Sequence, residues 1–311
     1  MLTKVPDALR DHFGHRLRVE EPLAMHTSFR IGGPSDLFIS ARTREDLLNA
    51  VVLARSAGIP WLVLGRGSNV LVDDRGIRGL VIRNDTPQLT IDAETGRVQA
   101  ASGVRMPTLG VQTARMGLTG LEWCVGIPGS VGGGVVMNAG AHGGCIADAL
   151  ISAEVLADGT PMIWPAETFQ HSYRMSRLQS EREIVVLGAE FRTQHGIAGE
   201  ALGRIRTFRQ HRQDTQPTDP GAGSIFRNPP GESAGALIDQ AGLKGTRRGD
   251  ALISPKHGNF IVNVGHASSS DVLALIELAR EAVFQQFGII LHPEVELIGP
   301  IGRRKLAEGN E

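Results

Sequence analysis

From Gly126 the chain reads Gly-Ile-Pro-Gly-Ser-Val-Gly-Gly-Gly, and from Asn138 it continues Asn-Ala-Gly-Ala-His-Gly-Gly. Glycine loses more backbone freedom on folding than any other residue, so such a stretch is costly to order. Two explanations fit: bare backbone lying against a large ligand, or a packed turn at a crowded sheet edge. A shorter loop, Gly65-Arg66-Gly67-Ser68-Asn69, directly follows the apolar run Trp61–Leu64. Successive N–H groups in such a turn form an anion nest that suits a pyrophosphate, and Ser68 and Asn69 add donors. A tight turn with no ligand is the commoner explanation of a lone loop of this length. Neither loop is a standard nucleotide motif. There is no Gly-x-x-x-x-Gly-Lys-Ser/Thr, and no strand–GxGxxG–helix unit is followed by an acid about 20 residues on. Two separate glycine loops on one dinucleotide point to a different fold.

Composition narrows the function classes. The 311 residues leave room for two or three domains, and 41% hydrophobic with 21% charged residues indicates a globular chain. A net charge of −1 supplies no basic excess for nucleic acid. Cys124 and Cys145 are too few for a disulfide framework or a four-cysteine metal site, so no metal is expected and both read as buried free thiols. Met1–Arg10 lacks the apolar core of a signal peptide, and no run approaches 18 apolar residues. The expected location is the cytoplasm, with no membrane contact, and nothing in the sequence requires more than a monomer.

Residues 1–20 read as an amphipathic lead-in. Thr43 caps a helix to Ala57, with Asp46 three residues on, and Gly58 and Pro60 end it. Strands are expected at Trp61–Leu64, Gly79–Arg83 and Ile184–Arg192. Hairpins are expected over Thr90–Ser102, turning near Gly96, and over Ile151–Ile163, turning at Asp158-Gly159. Further helices are expected at Met106–Met116, Gly199–Arg212, Ala234–Ala241 and Ser268–Phe287. Gln213–Ser224 reads as a loop, Asn259–Val264 as a strand and Ile289–Ile298 as extended. The fold class is therefore α+β: a cofactor domain over 1–196, a smaller substrate domain over 197–288, and a C-terminal segment, 289–311, returning toward the cofactor.

Six segments, in order, are similar to those of the UDP-N-acetylenolpyruvoylglucosamine reductases. They are Thr27–Pro34, the loop at 65–69, Gly126–Gly133 with Asn138–Ala141, Tyr173-Arg174-x-Ser176, Gly223–Pro229 and Pro293-Glu294-Val295. The resemblance implies an FAD-binding domain of the vanillyl-alcohol-oxidase (PCMH) type plus a smaller α+β substrate-binding domain. The short distance from Asn228 to the C-terminus resembles the compact subtype, which lacks an extra tyrosine-bearing loop. Departures are His142, where the family often has tyrosine, Arg66, where it has a small residue, and Pro255 and Gly258. Some relatives of this fold attach flavin through His or Cys beside the first glycine loop; Arg66, Ser68 and Asn69 offer neither, so dissociable FAD is expected.

The activity implied is NADPH-dependent reduction of UDP-N-acetylglucosamine enolpyruvate to UDP-N-acetylmuramate, in peptidoglycan precursor synthesis. FAD would be held by Gly65, Gly67, Ser68, Asn69, Gly126, Ile127, Pro128, Gly129, Ser130, Gly132, Asn138 and Gly140. Arg174 would stabilise negative charge on the substrate, Ser224 would deliver a proton to C2, and Glu294 would polarise the enol or relay the proton. Tyr173, Arg227 and Asn228 would contact substrate. Taken singly, a surface arginine, a loop serine and a strand carboxylate are the commoner fates of such residues. Lys244, Arg247, Arg248 and Lys256 suit a phosphate or simply form a solvated face. The rival functions are an oxidase on the same FAD fold and a catalytically silent nucleotide-sugar binding protein.

Overall fold

The computed structural model describes residues 5–181 and 183–303; the ends of the lead-in and of the C-terminal segment, 1–4 and 304–311, lie outside them. Three sheets organise the chain. The first has the order Arg18–Pro22, Pro34–Ala41, Ile77–Asn84, Trp61–Leu64, and all but its first pairing are parallel. The Arg44–Ser56 helix packs on it. The Thr43 hydroxyl accepts the Asp46 N–H at 3.0 Å, the expected cap. Its apolar stripe of Leu47, Ala50, Val51 and Ala54 is wholly buried and meets Leu37, Ile39, Leu80 and Ile82.

The second sheet is antiparallel, ordered Thr160–Pro165, Leu150–Ala157, Val185–Arg192, Arg97–Ala101, Leu89–Asp92. Both expected hairpins are present, because alternation and Asp-Gly or Thr-Gly turns specify them locally. The two sheets share a core: Leu156, Val185 and Leu187 of the second pack with the apolar face of the first. The third sheet runs Gly221–Ser224, Phe260–Asn263, Ala251–Ile253, Arg247–Arg248, all antiparallel. The Ser269–Phe287 helix covers it, capped by Ser268 and Asp271 and ended by Gly288 in the left-handed region. Phe29, Ile31 and Leu71 from the first part of the chain are buried in this third core. Burying Phe29 alone contributes roughly 1.5–3 kcal/mol, so the third sheet is docked rather than tethered.

Four expectations need correction. Gln213–Ser224 is not one loop: the preceding helix runs to Thr215, and Gly221–Ser224 is an edge strand. Its partner lies some 40 residues on, so no local pattern announces it. The second glycine stretch contains a helix, Val131–Met137, despite three glycines. Burial of Val131 and Val135 against the second core outweighs the poor propensity. Of Ile289–Ile298 only Glu296–Ile298 is a strand, pairing in parallel with Val70–Val72. Cys124 is buried and its thiol is pushed well up by burial, but Cys145 is only half-buried. The Ala198–Thr215 helix buries Ala201 and Ile205 against Ala114 and Val125, so its apolar face belongs to the cofactor side of the chain.

Candidate active site

The two glycine loops meet. A Cβ on Gly65 would lie 2.5 Å from the Ser130 hydroxyl, and one on Gly129 would lie 3.5 Å from that of Ser68. Gly67 has φ 62°, and any side chain there would overlap the His26 carbonyl. Ser28 fixes this loop from below: its N–H donates to the Gly67 carbonyl at 2.9 Å, and its hydroxyl donates to the Gly221 carbonyl at 2.6 Å. Among the described residues, no backbone N–H from Arg66 to Asn69, nor those of Gly129 and Ser130, donates to a protein acceptor. Unpaired N–H groups on two facing loops form a cradle for a diphosphate, so these residues fit the FAD that the sequence implies.

The rest of the second loop is held from behind. The Gly132 N–H donates to Ser102, the Gly129 carbonyl accepts from Met106, Ile127 N–H donates to Cys124, and the Gly126 carbonyl accepts from Arg212. Pro128 is exposed. His142, at φ 52°, stacks on Phe208 with centroids 4.2 Å apart, and walls Gly126. Burial, with help from His211 and Arg212, pushes its pKa down, which favours the neutral ring.

Arg174, Ser224 and Glu294 come together through backbone pairing. Segment 225–227 runs antiparallel to 292–294: Glu294 N–H donates to the Ile225 carbonyl at 2.7 Å, and Arg227 N–H to that of His292 at 2.9 Å. The Glu294 carbonyl accepts from the Asn69 amide at 3.0 Å, and the Glu296 N–H donates to the Asn69 carbonyl. The Glu294 carboxylate accepts from Arg174 Nε at 3.1 Å, and Arg174 Nη2 donates to the Gly140 carbonyl at 2.6 Å. Arg174 Nη1 makes no hydrogen bond with a described residue. Burial pushes the Glu294 pKa up, opposed by the charges of Arg174 and Arg227. Arg227 Nε is buried without a partner among the described residues, as expected of a group awaiting an anion. Ser224 sits at a bulge: the register shifts between Gly221 and Ser224, and Gly223 has φ 75°. Bulges re-aim side chains, and the Ser224 hydroxyl has no partner among the described residues.

Other expected contacts are engaged elsewhere. The Asn138 amide donates to the Ser172 carbonyl and accepts from Ala147, so its side chain anchors the Arg174 loop. The Asn228 carbonyl oxygen accepts from Ala234, at the start of the 234–240 helix. Tyr173 is 54% exposed, with the Arg174 guanidinium over its ring at 5.1 Å. Lys244 and Arg247 are paired with Asp239 and Asp250. Among the described residues no cluster of His, Cys, Asp or Glu is placed to hold a metal, and no helix is long and apolar enough to cross a membrane.

Sequence reasoning missed Asn259. Its buried amide clamps both the N–H and the carbonyl of Phe226, at 2.9 and 2.8 Å, while its own carbonyl accepts from Ile225. Asn259→Ala is expected to cost about 1–3 kcal/mol in thermal unfolding and to lower kcat more than it raises KM, because Ser224 loses its frame. Unchanged steady-state kinetics would sink that role. Nothing local flags such a residue; its function exists only through a segment 33 positions away.

This geometry defines a two-loop flavin-dinucleotide protein with a separate substrate lobe. Residues 35–162 match the family described as FAD binding domain, and residues 216–298 match the C-terminal domain of UDP-N-acetylenolpyruvoylglucosamine reductase. UDP-N-acetylenolpyruvoylglucosamine reductase 1 of Bacillus cereus is 43% identical over 286 residues, covering 91% of this chain and 95% of its own. The reductase of Synechococcus elongatus (strain ATCC 33912 / PCC 7942 / FACHB-805) is 45% identical over 281 residues, covering 89% and 93%. The crystal structure of the Thermus caldophilus enzyme superposes with a TM-score of 0.77 at 40% identity, covering 91% of this chain and all of that one. The chain belongs to the UDP-N-acetylenolpyruvoylglucosamine reductase family.

Proposed function

We propose that the chain reduces UDP-N-acetylglucosamine enolpyruvate to UDP-N-acetylmuramate at the expense of NADPH, a step of peptidoglycan precursor synthesis. The observation that carries this reading is the Arg174–Glu294 pair, seated between a glycine-loop carbonyl and the bulge bearing Ser224. FAD held by the two glycine loops would supply the hydride chemistry, with NADPH as the source and C3 of the enolpyruvyl group as the destination.

This chain's residues handle the charge and the proton. Negative charge developing at C2 spreads into the substrate carboxylate, which Arg174 meets with its free Nη1. Ser224 delivers the proton to C2 and is reprotonated from the site. Glu294, its carboxyl lifted by burial, is placed to pass that proton on. Arg227 offers its unpaired Nε to the anionic substrate, with Tyr173 and Asn228 at the exposed rim. FAD is held without a covalent bond, since loop 65–69 contains no His or Cys. The proposed division is a cofactor unit over 1–196, a substrate unit over 197–288 and a returning segment from 289, with the Ala198–Thr215 helix bridging the first two. The state that goes with this reading is a cytoplasmic monomer.

The test is anaerobic mixing of the purified protein. NADPH is expected to bleach the flavin band, and the enolpyruvyl UDP-sugar to restore it. Recovery only on admitting oxygen would replace this reading with an oxidase.

A further inference from the structure

Beside the two glycine loops stand three guanidiniums, and one carboxylate, Asp85, pairs with only two of them. Asp85 Oδ1 accepts from Arg66 Nη1 at 3.1 Å and from Arg83 Nε at 3.2 Å, while Oδ2 is taken by the Ser40 hydroxyl at 2.7 Å. Arg105 is the third. Its backbone bridges to Ser130 on the second glycine loop, and its charge reaches Arg66. Its side chain makes no hydrogen bond with any described residue. The next carboxylate, Glu21, is already held by Arg18 at 2.6 Å and His26 at 2.7 Å. Three positive charges against one negative leave an excess of two, directly beside the unpaired N–H groups of residues 66–69. Arg66 is itself largely shielded from solvent, and burial together with Arg83 pushes its pKa down. Cations are not held together in this way without cost unless an anion joins them.

We propose that Arg66 and Arg105 form a side-chain clamp on the diphosphate of the bound dinucleotide, closing over the N–H cradle of the two glycine loops. Asp85 orients Arg66 and divides its own charge with Arg83, so it leaves the clamp positive. Arg66 belongs to the first loop, and Arg105, at the start of the Met106–Arg115 helix, is bridged to Ser130 of the second, so the two arms bracket the same junction. Guanidinium forks match phosphate oxygens in pairs, so retention of the dinucleotide is largely electrostatic. The inference rests on the FAD reading and goes beyond it, because backbone N–H groups alone would satisfy that reading.

The experiment is FAD release from the holoenzyme after dilution, followed by recovery of free flavin fluorescence across a salt series. Arg66→Ala and Arg105→Ala are each expected to release FAD about tenfold faster at low salt or more, with Arg66→Lys in between. Release from the wild type is expected to accelerate steeply with salt, and from both alanine variants less so. Arg105→Ala guards against misfolding, because that side chain supports no neighbour. Wild-type release rates and salt slopes in both variants would overturn the clamp and leave the FAD reading intact. A wild-type protein that neither carries nor takes up FAD would overturn both.

Discussion

Ser224→Ala is expected to bleach normally with NADPH and then fail to reoxidise with the enolpyruvyl UDP-sugar, the second step slowing about 100- to 10,000-fold. The effect is large because a hydroxyl is a poor acid, and only placement makes it useful. Here the placement is visible: the bulge at Gly223 turns Ser224 out of the ladder, and the pairing of 225–227 with 292–294 brings it beside Glu294. Single-turnover absorbance separates the two half-reactions. If both slow equally, Ser224 supports the fold or the flavin rather than the proton.

Arg174→Ala is expected to lose about 100- to 1,000-fold in kcat, the usual cost of removing one preorganised charge from a developing anion. Arg174 sits at φ 56°, a conformation an L-residue adopts at some expense, so the loop is shaped for this guanidinium. The same change strips Glu294 of its partner. Burial already lifts that carboxyl, and Arg174 is the main opposing influence, so the pKa rises further in the variant. The sign of the pH effect follows. A carboxyl whose folded pKa lies above its unfolded value contributes stability at low pH, and that contribution is lost as pH rises through the folded value. Arg174→Ala is therefore expected to melt close to the wild type below the ordinary glutamate value of 4.5, and progressively below it toward neutrality. Parallel melting curves across that range would show that the two residues are not coupled. Arg174→Lys restores the charge but not the paired contacts to Glu294 and Gly140, and a partial recovery of both kcat and melting is expected.

Local physics made much of the fold legible. The Thr43 cap, the hairpin turns at Gly96 and Gly159 and the stop at Gly288 are short-range instructions, and the structure follows them. What stayed hidden depends on distant partners. Gly221–Ser224 is a strand only because Phe260–Asn263 lies beside it, and Val131–Met137 is a helix only because the second core accepts its valines. The site divides in the same way. The glycine loops advertise themselves through composition, whereas Arg174, Ser224 and Glu294 were visible only through resemblance to a family. Nothing in their spacing brings together residues 174, 224 and 294. Asn259 and Ser28, which hold the frame, carry no chemical signature at all. Asn138 shows the converse, as a residue whose motif suggests a ligand while its amide is spent on neighbouring backbone.

The strand that braces the first glycine loop is supplied by residues 296–298, and Asn69 reaches Glu294 across 225 positions of chain. On a ribosome the order of appearance therefore runs opposite to the order of need. The loop emerges first and stays without its brace while the 225 positions from Asn69 to Glu294 are made. Contacts so far apart in sequence are also the slowest to form. One late step in folding thus delivers the proposed catalytic carboxylate and braces the dinucleotide loop together, so a chain that stops short of Glu294 has neither.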